Sequence, residues 1–371
     1  MLRHSTIAAA AVAITALGAS AGHSETIRAT SGYGPSHHIA KTVYPAISTK
    51  LSELTDGRWD VRDTSSGLLK PNEMNTGLRD GITELAPNVL TYFSADYPES
   101  TMVGELSTFG TDSRAISGAV SEYILTCPEC LAEFDKFGQV FVGTTATNIS
   151  AVLSTTPIEN LDGFKGLRIR TVTPTFSKYI ASLGAEPVQM PSSEMFEALS
   201  QGIINAAFSS ISNIRSGGLF DTIKYVVEVR QGVLSAYTVA TPSKMLWGRM
   251  TPEDRAAFLE ALQFGIATDL EAWVEGDAEV KQMAIENGTV FVEPDETIKG
   301  ASRKFNEEHL ETLADDLTAR GIEDAPAKIE RYLALLEKWE DLVAEVDTVE
   351  ELTDLRMREL WADIDLANYG N

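Results

Sequence analysis

Residues 166–209, GLRIRTVTPTFSKYIASLGAEPVQMPSSEMFEALSQGIINAAFS, constrain the fold more than any other stretch, because they read as strand, helix, short strand, helix, strand. Strands separated by helices of this length imply a parallel-type sheet with crossover helices. Arg168, Ile169 and Arg170 alternate as a strand does, so Leu167 and Ile169 can face a core. Arg170 is left where that strand runs out. A guanidinium offers a planar fork of donors that matches a carboxylate bidentately, and it stays charged at every relevant pH. Arg170 is therefore a candidate anion clamp. The competing reading is a surface arginine paired with a nearby Asp or Glu.

The same rhythm runs through most of the chain. Thr26 to Ser31 reads as a strand ending in Gly32-Tyr33-Gly34-Pro35, and a helix follows with Ile39, Val43, Ile47, Leu51 and Leu54 on one face. Pro45 interrupts it and predicts a kink. Asp56-Gly57 turns the chain into an alternating strand at Trp59 and Val61, and Leu85 to Leu90 is the next strand. Further strands are expected near 139–145, 150–154, 167–170, 186–189, 204–209, 224–229 and 234–241. A helical stretch then runs from Pro252 to Asn287 with Phe258, Leu262, Ile266 and Trp273 as its apolar stripe. Continuous, it would be roughly 54 Å long at 1.5 Å per residue, enough to cross two lobes. Gly265 and Gly276 are places where it can bend. Acidic amphipathic helices fill the tail from Ala301. The reading is an α/β chain of two lobes with no linker between them, lobe I formed by 25–146 plus about 236–275 and lobe II by 147–235 plus about 276–371.

The first residues, MLRHSTIAAAAVAITALGASA, combine an early arginine, an apolar run from Ile7 to Leu17 and an Ala-Ser-Ala site, as a secretory leader does over 1–21. That run is shorter than the roughly 20 residues a bilayer span needs. Loss of Arg3 with the leader leaves 29 Lys+Arg against 54 Asp+Glu, a net charge of −25. Such a surface repels nucleic acid and anionic lipid, so neither is an expected partner. It also repels an anionic ligand, so an anion site needs its own local positive charge.

Taken together, several motifs resemble the extracytoplasmic solute-binding proteins of TRAP transporters over nearly the whole mature chain. The strongest match is Leu-Asp-Gly-Phe-Lys-Gly-Leu-Arg-Ile-Arg (161–170), Leu-Gly-Ala-Glu-Pro-Val (183–188) and Glu-Ala-Leu-Ser-Gln-Gly (197–202). Thr-Asp-Gly-Arg (55–58), the Gly-Leu-Leu and Gly-Ile unit at 67–82 with Glu84 near the family's usual aspartate, Tyr97-Pro98-Glu99, and Trp247 with Met250-Thr251-Pro252-Glu253-Asp254 fit in order and spacing. The resemblance implies a periplasmic-binding-protein clamshell of two α/β lobes, a long helix spanning both and a helical C-terminal tail. It implies capture of a small organic carboxylate in the cleft and delivery to the small and large membrane subunits of a TRAP permease.

Carried over by position, Arg170 becomes the ligand carboxylate's partner. Ser209 stands where many relatives have asparagine, and Asn148 and Ser150 fall near a second arginine used by sugar-acid binders. That arginine is absent here, which argues against a sialic-acid-type ligand. From the other lobe, Tyr33, Asn88 and Tyr92 are expected at the cleft, and Phe208 and Tyr237 supply an apolar or stacking wall or else ordinary core. No cofactor is expected. The sequence leaves the acid open among four-carbon dicarboxylates, keto acids, hydroxy acids, aromatic acids and zwitterions, while the missing second arginine and the candidate aromatics tilt the reading towards a monocarboxylate with an apolar or aromatic body.

Cys127-Pro128-Glu129-Cys130 is the only cysteine pair. In an exported chain it reads as a structural disulfide, while a CxxC at a helix start also supports thiol–disulfide exchange. An exported oxidoreductase and a ligand-sensing receptor are therefore the alternative functions. His37-His38 point to different sides of a helix and make poor joint metal ligands. Ser209-Ser210 lacks a nucleophile elbow, and no Walker or dinucleotide fingerprint is present, so no enzyme and no metal site is expected.

Overall fold

The computed structural model describes residues 24–65 and 67–371. The leader expected at 1–21 lies outside them. Among the described residues, ten strands form two sheets. The first is built from β1 (Glu25–Ala29), β2 (Trp59–Asp63), β3 (Leu85–Val89) and a late strand, β9 (Tyr237–Pro242). The second holds β4 (Ala151–Ser154), β5 (Arg168–Thr171), β6 (Glu186–Gln189), β7 (Ala206–Ser209), β8 (Tyr225–Val227) and β10 (Val290–Val292). Strand order is β2-β1-β3-β9 in one and β10-β8-β4-β7-β5-β6 in the other. The crossover strands are parallel as expected, but each sheet also holds one antiparallel strand: β9 runs antiparallel to β3, and β4 antiparallel to β7 and β8. Each is reached by a passage from one sheet to the other and not by a crossover within its own sheet, so a parallel direction is not imposed on it.

Residues 139–145 form no regular strand. They run extended beside β9 with isolated bridges at Gln139–Ser243 and Thr145–Tyr237. Gly143, at φ 127°, breaks the ladder, and a Cβ there would lie 3.0 Å from the Arg356 guanidinium. A π-helical turn over Ile39–Val43 gives way to regular α-helix over Tyr44–Leu54, with Pro45 in the first turn of the α-helix, where its missing N–H costs no helical bond.

Each face of the second sheet has its own core. Val152, Ala206 and Phe208 bury on one side, and Ala151, Leu153 and Ala207 on the other, as the two-residue period of a strand requires. The helix Pro252–Glu286 is continuous through Gly265 and Gly276. Its first half packs Phe258, Leu262 and Ile266 into the first core, and its end packs Val280 and Ala284 into the second. Gly265 serves contact, because a Cβ there would lie 2.3 Å from the Ile47 side chain.

The tail corrects the expected partition. From Ala325 onward it packs with the first lobe, although 276–371 was assigned to lobe II. Ile329, Tyr332, Leu336, Trp339 and Val343 form the apolar stripe of helix Ala325–Val343 and join the first core beside helix Ser113–Leu125. The preceding helix, Glu296–Ala319, divides itself: Ile298 and Phe305 enter the core on the Val152–Phe208 face of the second sheet, opposite the face that takes Val280 and Ala284, while Leu313 and Leu317 enter the first core.

Gly118 lets the two helices meet. A Cβ there would lie 2.1 Å from the Trp339 ring, which is fully buried and held by Nε1 donating to Glu122 at 2.7 Å. Gly118→Ala gains about 1 kcal/mol of helix propensity, but overpacking against a fixed ring costs typically 1–3 kcal/mol. A net loss of stability is expected, read as a lower urea midpoint at unchanged m-value.

Candidate functional site

The carboxyl ends of β1, β3, β5 and β7 face one another across the gap between the sheets, the edge where α/β sheets present ligand sites. A cavity of about 60 Å³ lies there, lined from both lobes. Arg170 reaches it from β5, and is 3 % exposed. Its Nε donates to the Met190 carbonyl at 3.0 Å, and no carboxylate among the described residues forms an ion pair with it. Burial pushes its pKa below the ordinary arginine value, with the neighbouring Tyr92 and Tyr33 hydroxyls acting the other way.

Most residues singled out in the sequence converge on this cavity: Tyr33, Tyr92 and Tyr237 from the first lobe, Ser150, Arg170, Phe208 and Ser209 from the second. Tyr92 reaches across, its hydroxyl accepting from the Ser192 backbone N–H at 3.4 Å. Ser209 Oγ accepts from Asn213 at 2.8 Å. The Phe208 ring meets Phe176 edge-on at 4.9 Å, and both line the apolar side.

Two expected residues lie elsewhere. Asn88 is fully buried behind β3, donating to Gln139 at 3.1 Å and to the Tyr97 hydroxyl at 3.3 Å. Strand parity decides this, since its neighbour Val89 takes the cavity side. Asn148 points outward, donating to Asp277 at 3.1 Å while its own carbonyl accepts from Ile149 N–H at 2.9 Å.

Residues not foreseen line both walls: Val172, Phe176 and Leu234 on the second lobe, and His37 and Trp273 on the first. His37 lines the cavity, stacked on Tyr33 at 4.1 Å and on His38 at 4.5 Å. Trp273, on the long helix, lines it too and donates to the Tyr237 hydroxyl at 2.9 Å. Behind them sits Asp269, wholly buried, which accepts from Thr145 at 2.7 Å and from Tyr237 at 3.2 Å and meets His38 Nε2 at 2.8 Å. Two signals were available. Asp269 and Trp273 lie four apart on one helix face, and the histidines follow the first strand directly.

The sequence model of the bacterial extracellular solute-binding proteins, family 7, matches residues 32–316. The chain belongs to this family. These are the TRAP-type binding proteins, and the relatives are binding components of transport rather than enzymes. A TRAP solute-binding protein from Rhodoferax ferrireducens with copurified benzoate superposes with TM-score 0.76 at 20 % identity, covering 86 % of this chain and 100 % of its own. A marine metagenome relative specific for aromatic acids, bound to 3-hydroxybenzoate, gives TM-score 0.76 at 18 % identity, with 86 % and 99 % coverage. A Bordetella pertussis receptor binding pyroglutamic acid gives 0.71 at 17 %, with 84 % and 100 % coverage. In sequence, the outer membrane transporter protein TsaT of Comamonas testosteroni is 23 % identical over 84 % of this chain and 89 % of its own. An uncharacterised Haemophilus influenzae protein is 24 % identical over 45 % of this chain, which spans only 51 % of that relative's length. Among the described residues, no helix is long and apolar enough to cross a membrane.

Cys127 and Cys130 form a disulfide that belongs to the first core, and they are 2 % and 0 % exposed. Buried sulfurs make poor exchange partners. For a ring this short, the loop-closure relation gives about 2 kcal/mol of stabilisation. The double variant Cys127→Ser/Cys130→Ser is expected to lose up to about that much in urea unfolding while ligand affinity is unchanged. The native protein is expected not to reduce insulin with dithiol present.

Proposed function

We propose that this protein captures a small organic acid with one carboxylate on an aromatic or apolar body and delivers it to the small and large membrane subunits of a TRAP permease. The carrying observation is Arg170, a buried guanidinium that opens on an inter-lobe cavity with no carboxylate partner among the described residues. A buried charge needs a counter-charge, and a ligand carboxylate is the group whose geometry matches the fork. In this reading Ser209 and Ser150 add polar contacts beside it, and Tyr33 and Tyr92 close over it from the first lobe.

The size and polarity of the cavity support a small monoacid. A volume of about 60 Å³ is roughly four to six times what one water needs by the same measure. Phe176, Phe208, Val172 and Leu234 make one side apolar. On the other side, buried Asp269 disfavours a second negative group on the ligand. The benzoate, 3-hydroxybenzoate and pyroglutamic acid carried by relatives each have a single carboxylate.

The working unit is a clamshell. Lobe I comprises 25–146, about 236–275 and the tail beyond Ala325, and lobe II comprises 147–235 and the end of the long helix. A ligand touching both lobes stabilises the closed form. The setting is extracytoplasmic, following export through the leader.

Thermal-shift screening of residues 22–371 against organic acids is expected to single out monocarboxylates, because a native-state ligand raises the melting temperature by mass action. Arg170→Gln should weaken the best of them by about 2–5 kcal/mol, roughly 30- to several-thousand-fold in Kd, in calorimetry, with the melting temperature of the free protein little changed. Retained affinity would reject the clamp. Uptake into vesicles carrying the membrane subunits separates transport from a sensing role, which would bind the acid without supporting uptake.

A further inference from the structure

We infer that His37 donates a hydrogen bond to a neutral oxygen on the bound acid, so that the site selects hydroxy- or oxo-substituted monocarboxylates over their unsubstituted parents. This deepens the preceding proposal and rests on it.

The ring is 8 % exposed and lines the cavity from the first lobe, whereas Arg170 lines it from the second. Its Nδ1 accepts the Ile39 backbone N–H at 3.3 Å. A neutral imidazole has one donor and one acceptor nitrogen, so the proton sits on Nε2. No hydrogen-bond partner meets Nε2 among the described residues. Stacking fixes the ring's direction: Tyr33 lies 4.1 Å away at 17° on one side, and His38 4.5 Å away at 27°. Trp273 meets it edge-on at 6.1 Å. Burial, with the neighbouring His38 acting in the same direction, pushes the imidazole well below its ordinary pKa and favours its neutral form.

A neutral donor on this wall distinguishes ligands by what they offer it. An acid bearing a hydroxyl or carbonyl oxygen satisfies Nε2–H, whereas its hydrocarbon parent leaves a buried donor unmet. Sites built to bond a ligand oxygen reject analogues that lack it far more strongly than apolar pockets reject an extra methylene. A second carboxylate would also reach the donor, but it would bring its charge towards Asp269. The selected group is therefore an uncharged oxygen. Because His37 and Arg170 belong to different lobes, such an acid is held at both ends.

Calorimetry on residues 22–371 with matched pairs tests this: benzoate with 3-hydroxybenzoate, phenylacetate with mandelate, propionate with lactate. In at least one pair, wild type is expected to bind the oxygen-bearing member about 10- to 100-fold more tightly. His37→Phe should retain the parent's affinity and abolish that preference, while His37→Gln, which keeps an N–H donor, should retain part of it. A preference that survives His37→Phe, or an equal loss for both members, would overturn the assignment. A readout independent of the variants' folding is the His37 Nε2–H resonance in protein labelled with ¹⁵N-histidine. It should move with the oxygen-bearing acid and not with its parent; the same shift for both also overturns it. If wild type binds no acid of the panel, or Arg170→Gln leaves binding intact, the monocarboxylate reading itself fails and this inference falls with it.

Discussion

A guanidinium withdrawn from water without a carboxylate beside it costs several kcal/mol even after relaxation. Arg170 is in that position, and much of the second lobe holds it there. β5 pairs with β6 and β7, so the backbone carrying Arg170 cannot retreat, and the Met190 carbonyl fixes Nε. Arg356, another buried arginine, provides the contrast. It also lacks an acid, but its nitrogens are met by Gln263, Ser117, Ser121 and the Thr144 carbonyl, which makes it a structural cation even with its pKa pushed down to about 9. Arg170 keeps its fork open towards a cavity, and open donors in a closed site are a feature of binding.

The long helix Pro252–Glu286 supplies the opposing wall. It enters the first core, ends in the second, and at its middle presents Trp273 to the cavity with Asp269 behind. Asp269 draws Thr145, Tyr237 and His38 to itself, so three separate chain segments are positioned by one carboxylate. Contacts that cross between the lobes lie beside the site: Ser192 N–H on the Tyr92 hydroxyl, and the Thr175 hydroxyl on Glu105, which also pairs with Arg320 at 2.8 Å. Polar contacts of this kind can form and release as lobes move, where a shared apolar core could not.

The second lobe was the more legible half. β4, β5 and β7 fall within a few residues of their expected places because buried strands leave short apolar runs bounded by turn residues, and the exposed edge strand β6 is legible from the Gly184 turn before it and Pro191 after it. The candidate site was legible where a residue stood at a strand end, as Arg170 and Ser209 do, or in the loop just after one, as Tyr33 does after β1. It was misread at Asn88, where a shift of one position exchanges the cavity for the core, and at Asn148, which lies in an irregular crossing where periodicity carries no information. His37 was read only as a poor metal ligand. Its stacking on Tyr33 and its position opposite Arg170 follow from the π-turn and the approach of the two sheets.

The sequence by itself determined the alternation of strands and helices, the long helix, the family and the arginine at the end of β5, because each is written in local spacing, turn chemistry or motif order. Tertiary structure alone decided that the tail closes on the first lobe, that β4 and β9 run antiparallel, and that Asp269 anchors the wall facing Arg170. Those outcomes depend on which surfaces meet after the chain has changed sheets. Contacts between residues as distant as His38 and Asp269 leave no periodic trace in either segment.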